Sequence, residues 1–89
     1  MTDQIILYGT TWCGDSRRAK GLFDDNNITY QWVDIDQDQS ARLIVEAYNH
    51  GNRSVPTIVF PDGSILVEPS TNKLAEKLGI EIPVSLFGI

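Results

Sequence analysis

The first apolar block of the chain, Gln4 to Tyr8, is short, β-branched and closed by Gly9, which reads as a buried strand. From Gly14 to about Asn26 the period changes. Ala19, Leu22 and Phe23 recur at i, i+3 and i+4, the stripe of an amphipathic helix, weakened slightly by Gly21 and ended by Asn26-Asn27. Residues 28 to 35 return to alternation. Ile28, Tyr30 and Trp32, with Asp34, fall on one face of a strand; Val33 and Ile35 fall on the other. A second helix is expected from about Ser40 to His50. Ala41, Ile44, Ala47 and Tyr48 would form its apolar stripe and Gly51-Asn52 its stop. Thr57 to Phe60 and Ile65 to Val67 flank Pro61-Asp62-Gly63-Ser64. In such a turn proline presets φ and glycine takes positive φ, so the two segments read as a hairpin. Ser70 caps a last helix that carries Leu74 and Leu78 and ends at Gly79.

The order is therefore β-α-β-α-β-β-α. Two strands joined through a helix should pair in parallel with a right-handed crossover, and the hairpin then adds antiparallel strands. The expected class is α/β: a four-stranded mixed sheet flanked by helices. With 89 residues the chain makes one domain, expected over 1–79. The remainder, 80–89, is an apolar tail with Pro83 and Gly88 whose packing the pattern leaves open.

Composition narrows the function. The hydrophobic content of 42% supports a small core. A net charge of −5 argues against nucleic-acid binding, which needs a basic surface. No apolar run is long enough to cross a bilayer, and Asp3 stands where a signal peptide would carry basic residues. One cysteine cannot build a disulfide framework. Together these features predict a cytoplasmic protein that engages neither membrane nor nucleic acid; a monomer is expected, though none of these features fixes the oligomeric state.

Charge is unevenly placed. Of seven Lys and Arg residues, Arg17, Arg18 and Lys20 follow the cysteine directly, and Arg53 shortly precedes Pro56. This predicts a cationic cluster around the thiol, suited to an anionic ligand or to the thiolate. Each cation taken alone reads equally well as an ordinary solvated residue.

Cys13 itself lies where the first strand gives way to the first helix. A thiol at a helix N-terminus beside basic residues is in the setting that favours the nucleophilic thiolate. Gly14 leaves it uncrowded, and Trp12 supplies a flat apolar flank. A buried structural cysteine is the ordinary alternative; the polar run Gly14-Asp15-Ser16-Arg17-Arg18 argues against it. Val55-Pro56 opens a strand, where a missing N–H is tolerated. Taken alone, that proline would be expected in the common trans form. Asp34, Asp36 and Asp38 have calcium-loop spacing, but Gln39 replaces the required glycine and Val45 the bidentate glutamate. Lone His50 does not make a zinc site.

Three stretches in combination carry a resemblance: Trp12-Cys13-Gly14 after the first strand, Ser54-Val55-Pro56-Thr57-Ile58 before the hairpin, and Phe60-Pro61-Asp62-Gly63-Ser64 within it. Together they resemble the glutaredoxin family. The match is nearest to its actinobacterial mycoredoxin-like branch, with one residue fewer before the tryptophan. The resemblance covers residues from about 4 to 79. It implies the thioredoxin/glutaredoxin fold and a thiol–disulfide oxidoreductase that reduces mixed disulfides between proteins and a small thiol. Cys13 is then the nucleophile, Pro56 a cis-proline, and Val55 the backbone partner of the bound small thiol. Thr11, Trp12, Gly14 and Asp15 line the motif, with Arg17 and Arg53 as candidate ligand contacts. Ser70, Thr71 and Asn72 match the helix start where glutaredoxins hold a glutathione carboxylate, as a helix N-terminus can. The co-substrate would be mycothiol or glutathione, with no permanently bound cofactor, and the partners thiolated proteins.

Three positions depart from the family pattern. Glu68-Pro69-Ser70 stands in place of Gly-Gly and Asp, Thr10 in place of a lysine, and Ser16 in place of the resolving cysteine. Ser16 fits two origins, a native monothiol form or a cysteine-to-serine replacement. Either way the chain is limited to a one-cysteine cycle. Alternative readings are an iron–sulfur carrier of the monothiol glutaredoxin type, an electron-donor redoxin if position 16 were cysteine, and an adaptor with an inert thiol. Asp15 and the absent lysine weigh against the carrier.

Overall fold

The computed structural model describes residues 3–81. Its elements are β1 (Ile5–Gly9), α1 (Gly14–Asp25), β2 (Tyr30–Asp34), α2 (Gln39–Tyr48), β3 (Thr57–Val59), β4 (Ile65–Val67) and α3 (Thr71–Leu78). The sheet order is β2-β1-β3-β4. Strand β1 pairs parallel with β2, from Ile5↔Tyr30 to Gly9↔Asp34. It pairs antiparallel with β3 through Leu7↔Ile58, and β3 pairs antiparallel with β4 through Ile58↔Leu66. The predicted order and pairing senses hold, with element ends moved by one or two residues. The apolar tail lies outside the described residues from position 82 on.

Helices cover both faces because each strand alternates its side chains. On one face Leu7, Ile58, Phe23 and Leu74 are fully buried, with Ile28, Tyr30 and Trp32 packed around them. Burying each of those large side chains contributes roughly 1.5–3 kcal/mol. Here α1 contributes Ala19 and Phe23, and α3 contributes Leu74. On the other face Tyr8, Ile35, Ala41 and Val45 form a smaller cluster with Val33, Val55 and Val59.

That smaller cluster corrects the expected phase of the second helix. Ala41 is buried as predicted, but its partner is Val45. Ile44, Ala47 and Tyr48 are exposed, as is Leu43. The helix carries apolar residues nearly all round, so two stripes compete in the sequence. Asp38, not Ser40, caps the helix, and its carboxylate accepts the Ala41 N–H at 3.1 Å. Packing against Tyr8 and Ile35 takes Ala41 and Val45 inward.

Candidate functional site

The register of β1, β3 and β4 brings three chain segments to one end of the sheet: the turn after Gly9, the approach to Thr57, and the exit from Val67. Cys13 is the N-cap residue of α1, half-buried, with no side-chain capping bond. Its sulfur is therefore not spent on the helix, whose first-turn N–H groups lack intrahelical acceptors. The Sγ atom lies 3.8 Å from the Val55 carbonyl oxygen and donates to it. The Val55–Pro56 bond is cis, as the resemblance implied. Residues 42 positions apart in sequence thus meet at the thiol.

Trp12 is 71% exposed. Its indole N–H donates to Asp36 Oδ2 at 2.7 Å. A carboxylate on the β2–α2 turn therefore holds an otherwise open aromatic ring beside Cys13. The three aspartates with calcium-like spacing divide the local work differently. Asp34 accepts the Asp36 N–H, Asp36 takes the indole, and Asp38 caps α2.

Ser16 is fully buried and faces the end of β1. Its hydroxyl accepts the Thr10 N–H at 3.4 Å, a long bond. Gly9 makes this packing possible: a Cβ there would sit 2.8 Å from Ser16 Oγ and 2.9 Å from the Trp32 ring. Thr10 is also buried, and its Oγ1 has no hydrogen-bond partner among the described residues.

The expected cationic cluster is largely committed elsewhere. Arg18 pairs with Asp15 at 3.1 Å, and Arg53 pairs with Glu46 of α2 at 2.8 Å. Lys20 pairs with Asp24 at 3.6 Å and lies over the Tyr30 and Trp32 rings. Hydrogen bonding to Tyr30, first among its causes, raises the Lys20 pKa. Of these four cations only exposed Arg17 has no ion-pair partner among the described residues. An acidic chain offers its arginines more carboxylates than the thiol can outcompete.

At the start of α3, Ser70 accepts the Lys73 N–H at 3.1 Å and so caps its own helix. Asn72 is exposed beside it. Thr71 and Pro69 line a shallow cleft with Asp15, Arg18 and Leu22, of about 10 Å³. That cleft joins two sequence-predicted groups, the motif after Cys13 and the start of α3. A larger concavity, lined by Asp3, Ile5, Thr29, Gln31 and Pro61, opens at the opposite end of the sheet. It holds no thiol, so size does not locate the chemistry.

The chain matches the glutaredoxin family model over residues 5–65. It belongs to the glutaredoxin family. It is 41% identical over 78 residues to a Mycobacterium tuberculosis protein assigned as a glutaredoxin, covering 88% of this chain and 93% of that one. It is 35% identical over 75 residues to mycoredoxin 1 of Corynebacterium glutamicum, covering 83% and 91%. Among solved structures, a thioredoxin-like protein aligns with a TM-score of 0.72 and 28% identity over 84% of this chain and 99% of that chain. A buckwheat glutaredoxin–glutathione complex shares the fold, with a TM-score of 0.65 and 24% identity over 85% and 70%. As a glutaredoxin the chain is a thiol–disulfide oxidoreductase whose partner is a small thiol of the glutathione kind.

Two features of this glutaredoxin escaped sequence reasoning. The Asp36 anchor for Trp12 joins residues 24 apart in sequence, and no periodicity encodes it. Glu68 adopts φ 47°, a left-handed conformation usually left to glycine. The signal for that one was present in the family's Gly-Gly at this place.

Proposed function

We propose that this glutaredoxin reduces mixed disulfides between proteins and mycothiol or glutathione by a monothiol cycle, with Cys13 as its only nucleophile. The Cys13 thiolate attacks the small thiol's sulfur in a protein–S–S–R disulfide. The old S–S bond breaks, a new Cys13–S–S–R bond forms, and the target protein leaves as a thiolate that takes up a proton. A second small-thiol anion attacks the same R sulfur, releasing the oxidised RSSR and restoring the Cys13 thiolate. The net reaction converts one mixed disulfide and one small-thiol anion into a protein thiolate and RSSR, so one thiol is oxidised for each mixed disulfide reduced.

The first-turn N–H groups of α1 stabilise negative charge on Sγ. The Val55 backbone pairs with the backbone of the bound small thiol. Thr11, Trp12, Gly14 and Asp15 form the wall beside it, with Arg17 at the rim. The surface over the Asp15–Thr71 cleft, with Ser70 and Asn72 beside it, meets the far end of the ligand. Arg53, paired with Glu46, serves α2 rather than the ligand. Ser16 occupies the resolving position without a thiol, so the second step is intermolecular. The enzyme works as a cytoplasmic monomer on thiolated proteins.

The observation that carries this reading is the placement of the lone thiol, at a helix N-cap and 3.8 Å from the carbonyl oxygen of Val55. The test is turnover of a peptide–glutathione and a peptide–mycothiol disulfide by the chain and by Cys13→Ala. Loss of all turnover above background in the variant is expected. Retained turnover contradicts the reading.

A further inference from the structure

The rim between cis-Pro56 and α3 contains one residue that the fold tolerates poorly. Glu68 sits at φ 47°, where a side chain with a Cβ is disfavoured and glycine is the usual choice. A non-glycine residue held there points to a functional constraint rather than to packing. Packing offers it nothing, because Glu68 is exposed. Its carboxylate has no hydrogen-bond or ion-pair partner among the described residues, although four other carboxylates are paired: Asp15, Glu46, Asp24 and Asp62.

Its place is defined. The Glu68 N–H donates to the Pro56 carbonyl oxygen at 2.8 Å, extending the β3–β4 register by one pair beyond Thr57↔Val67. Glu68 therefore stands opposite Pro56, next to the residue whose carbonyl faces Cys13 Sγ. Pro69 follows at the wall of the cleft, and then the start of α3. A ligand reaching from Val55 toward Thr71 passes residue 68. The one negative charge left unpaired on that path lies where a carboxylate-bearing thiol would bring its own charge. Of the cations around the thiol motif, Arg18 and Arg53 are bound to Asp15 and Glu46, and Arg17 alone has no ion-pair partner among the described residues.

We propose that Glu68 is a specificity-determining residue that disfavours small thiols carrying carboxylates relative to uncharged ones. This rests on the thiol-transferase reading above and deepens it. Its carboxylate repels an anionic ligand through partly screened water. Glutamine keeps the size and removes the charge.

The step to measure is the loading of Cys13. Its thiolate attacks a symmetrical disulfide RSSR, forms Cys13–S–S–R and releases one RS⁻. With a single cysteine in the chain, the mass gained reports on Cys13 alone. Rates are compared for anionic oxidised glutathione and neutral bis(2-hydroxyethyl) disulfide, with the native chain and with Glu68→Gln. At low salt the variant should load glutathione about fivefold faster, as expected for one like-charge contact near water. That gain should shrink in high salt, where surface charges are screened. Loading by the neutral disulfide should stay the same. Equal ratios for the two disulfides, whether changed or unchanged, overturn the assignment of Glu68 and leave the thiol-transferase reading intact. Failure of both disulfides to load native Cys13 overturns that reading and this one with it. Circular dichroism of the variant confirms that both chains compared are folded.

Discussion

The two ends of the sheet differ in how completely their polar groups are used. At the hairpin end the turn closes on itself. Phe60 N–H donates to Ser64 O and Gly63 N–H to Phe60 O, each at 2.9 Å, while Asp62 accepts both the N–H and the hydroxyl of Ser64. Lys77 of α3 then binds Asp62 at 2.8 Å and lies over the Phe60 ring. At the thiol end the corresponding groups are left open. Cys13 makes no capping bond, the Trp12 ring is exposed, Thr10 Oγ1 is orphaned, and Glu68 is held in a disfavoured conformation. Local rules are obeyed where the chain only needs to fold, and broken where a ligand is to be met.

The largest expected effect on stability comes from removing the one glycine on which the thiol end depends. Gly9→Ala would drive a methyl group against Ser16 and Trp32. It should destabilise the fold by about 1–3 kcal/mol, as overpacking does. Urea unfolding reads this directly; an unchanged midpoint would show that the two side chains move aside freely.

A smaller effect separates positioning from folding. Asp36→Asn weakens the charge-assisted acceptor for Trp12 at an exposed site. The bond orients the ring beside Cys13, so the rate of Cys13 loading should fall severalfold, while the fold loses no more than about 1 kcal/mol. Trp12 fluorescence should change in parallel, with Trp12→Phe as the control that removes the signal. A drop in stability without a change in rate would place this contact with the hairpin end instead.

The smallest effect belongs to the hairpin end. Asp62 is fully exposed, and hydrogen bonds from Lys77 first and Ser64 next hold its carboxyl well below the usual carboxylate range. A group whose folded pKa is depressed stabilises the fold above its unfolded value, here 3.8, and loses that contribution as pH falls through the lower folded value. The stability difference between the native chain and Asp62→Asn should therefore be constant above about pH 5 and shrink in more acidic solution. Because the pair is solvated, it should also shrink with salt. Cys13 loading measured at one pH should be the same for both chains.

The difference between the ends also explains what the sequence made legible. Residues that obey a period were read correctly: Ala19 and Phe23 on α1, Leu74 on α3, and the Pro61–Ser64 turn. Cys13 and Pro56 were legible because a motif marks each. The phase of α2 was not, because its apolar residues spread over more than one face and the choice is made by tertiary packing against Tyr8 and Ile35. The ion pairs within the cationic cluster were not legible for a related reason. Proximity in sequence to Cys13 is visible, whereas the acquisition of Arg53 by Glu46 depends on the tertiary path. Trp12–Asp36 likewise exists only after folding.

The central claim is that Cys13 attacks alone and that Ser16 cannot complete an internal exchange. Intact-mass measurement after mixing the chain with one equivalent of a peptide–small-thiol disulfide tests it most directly. The account predicts release of the free peptide and a chain heavier by one small thiol on Cys13 which, once the peptide is removed, stays loaded until a second thiol is added. An unmodified chain accompanied by unreacted disulfide, or an adduct that discharges without added thiol, would contradict it.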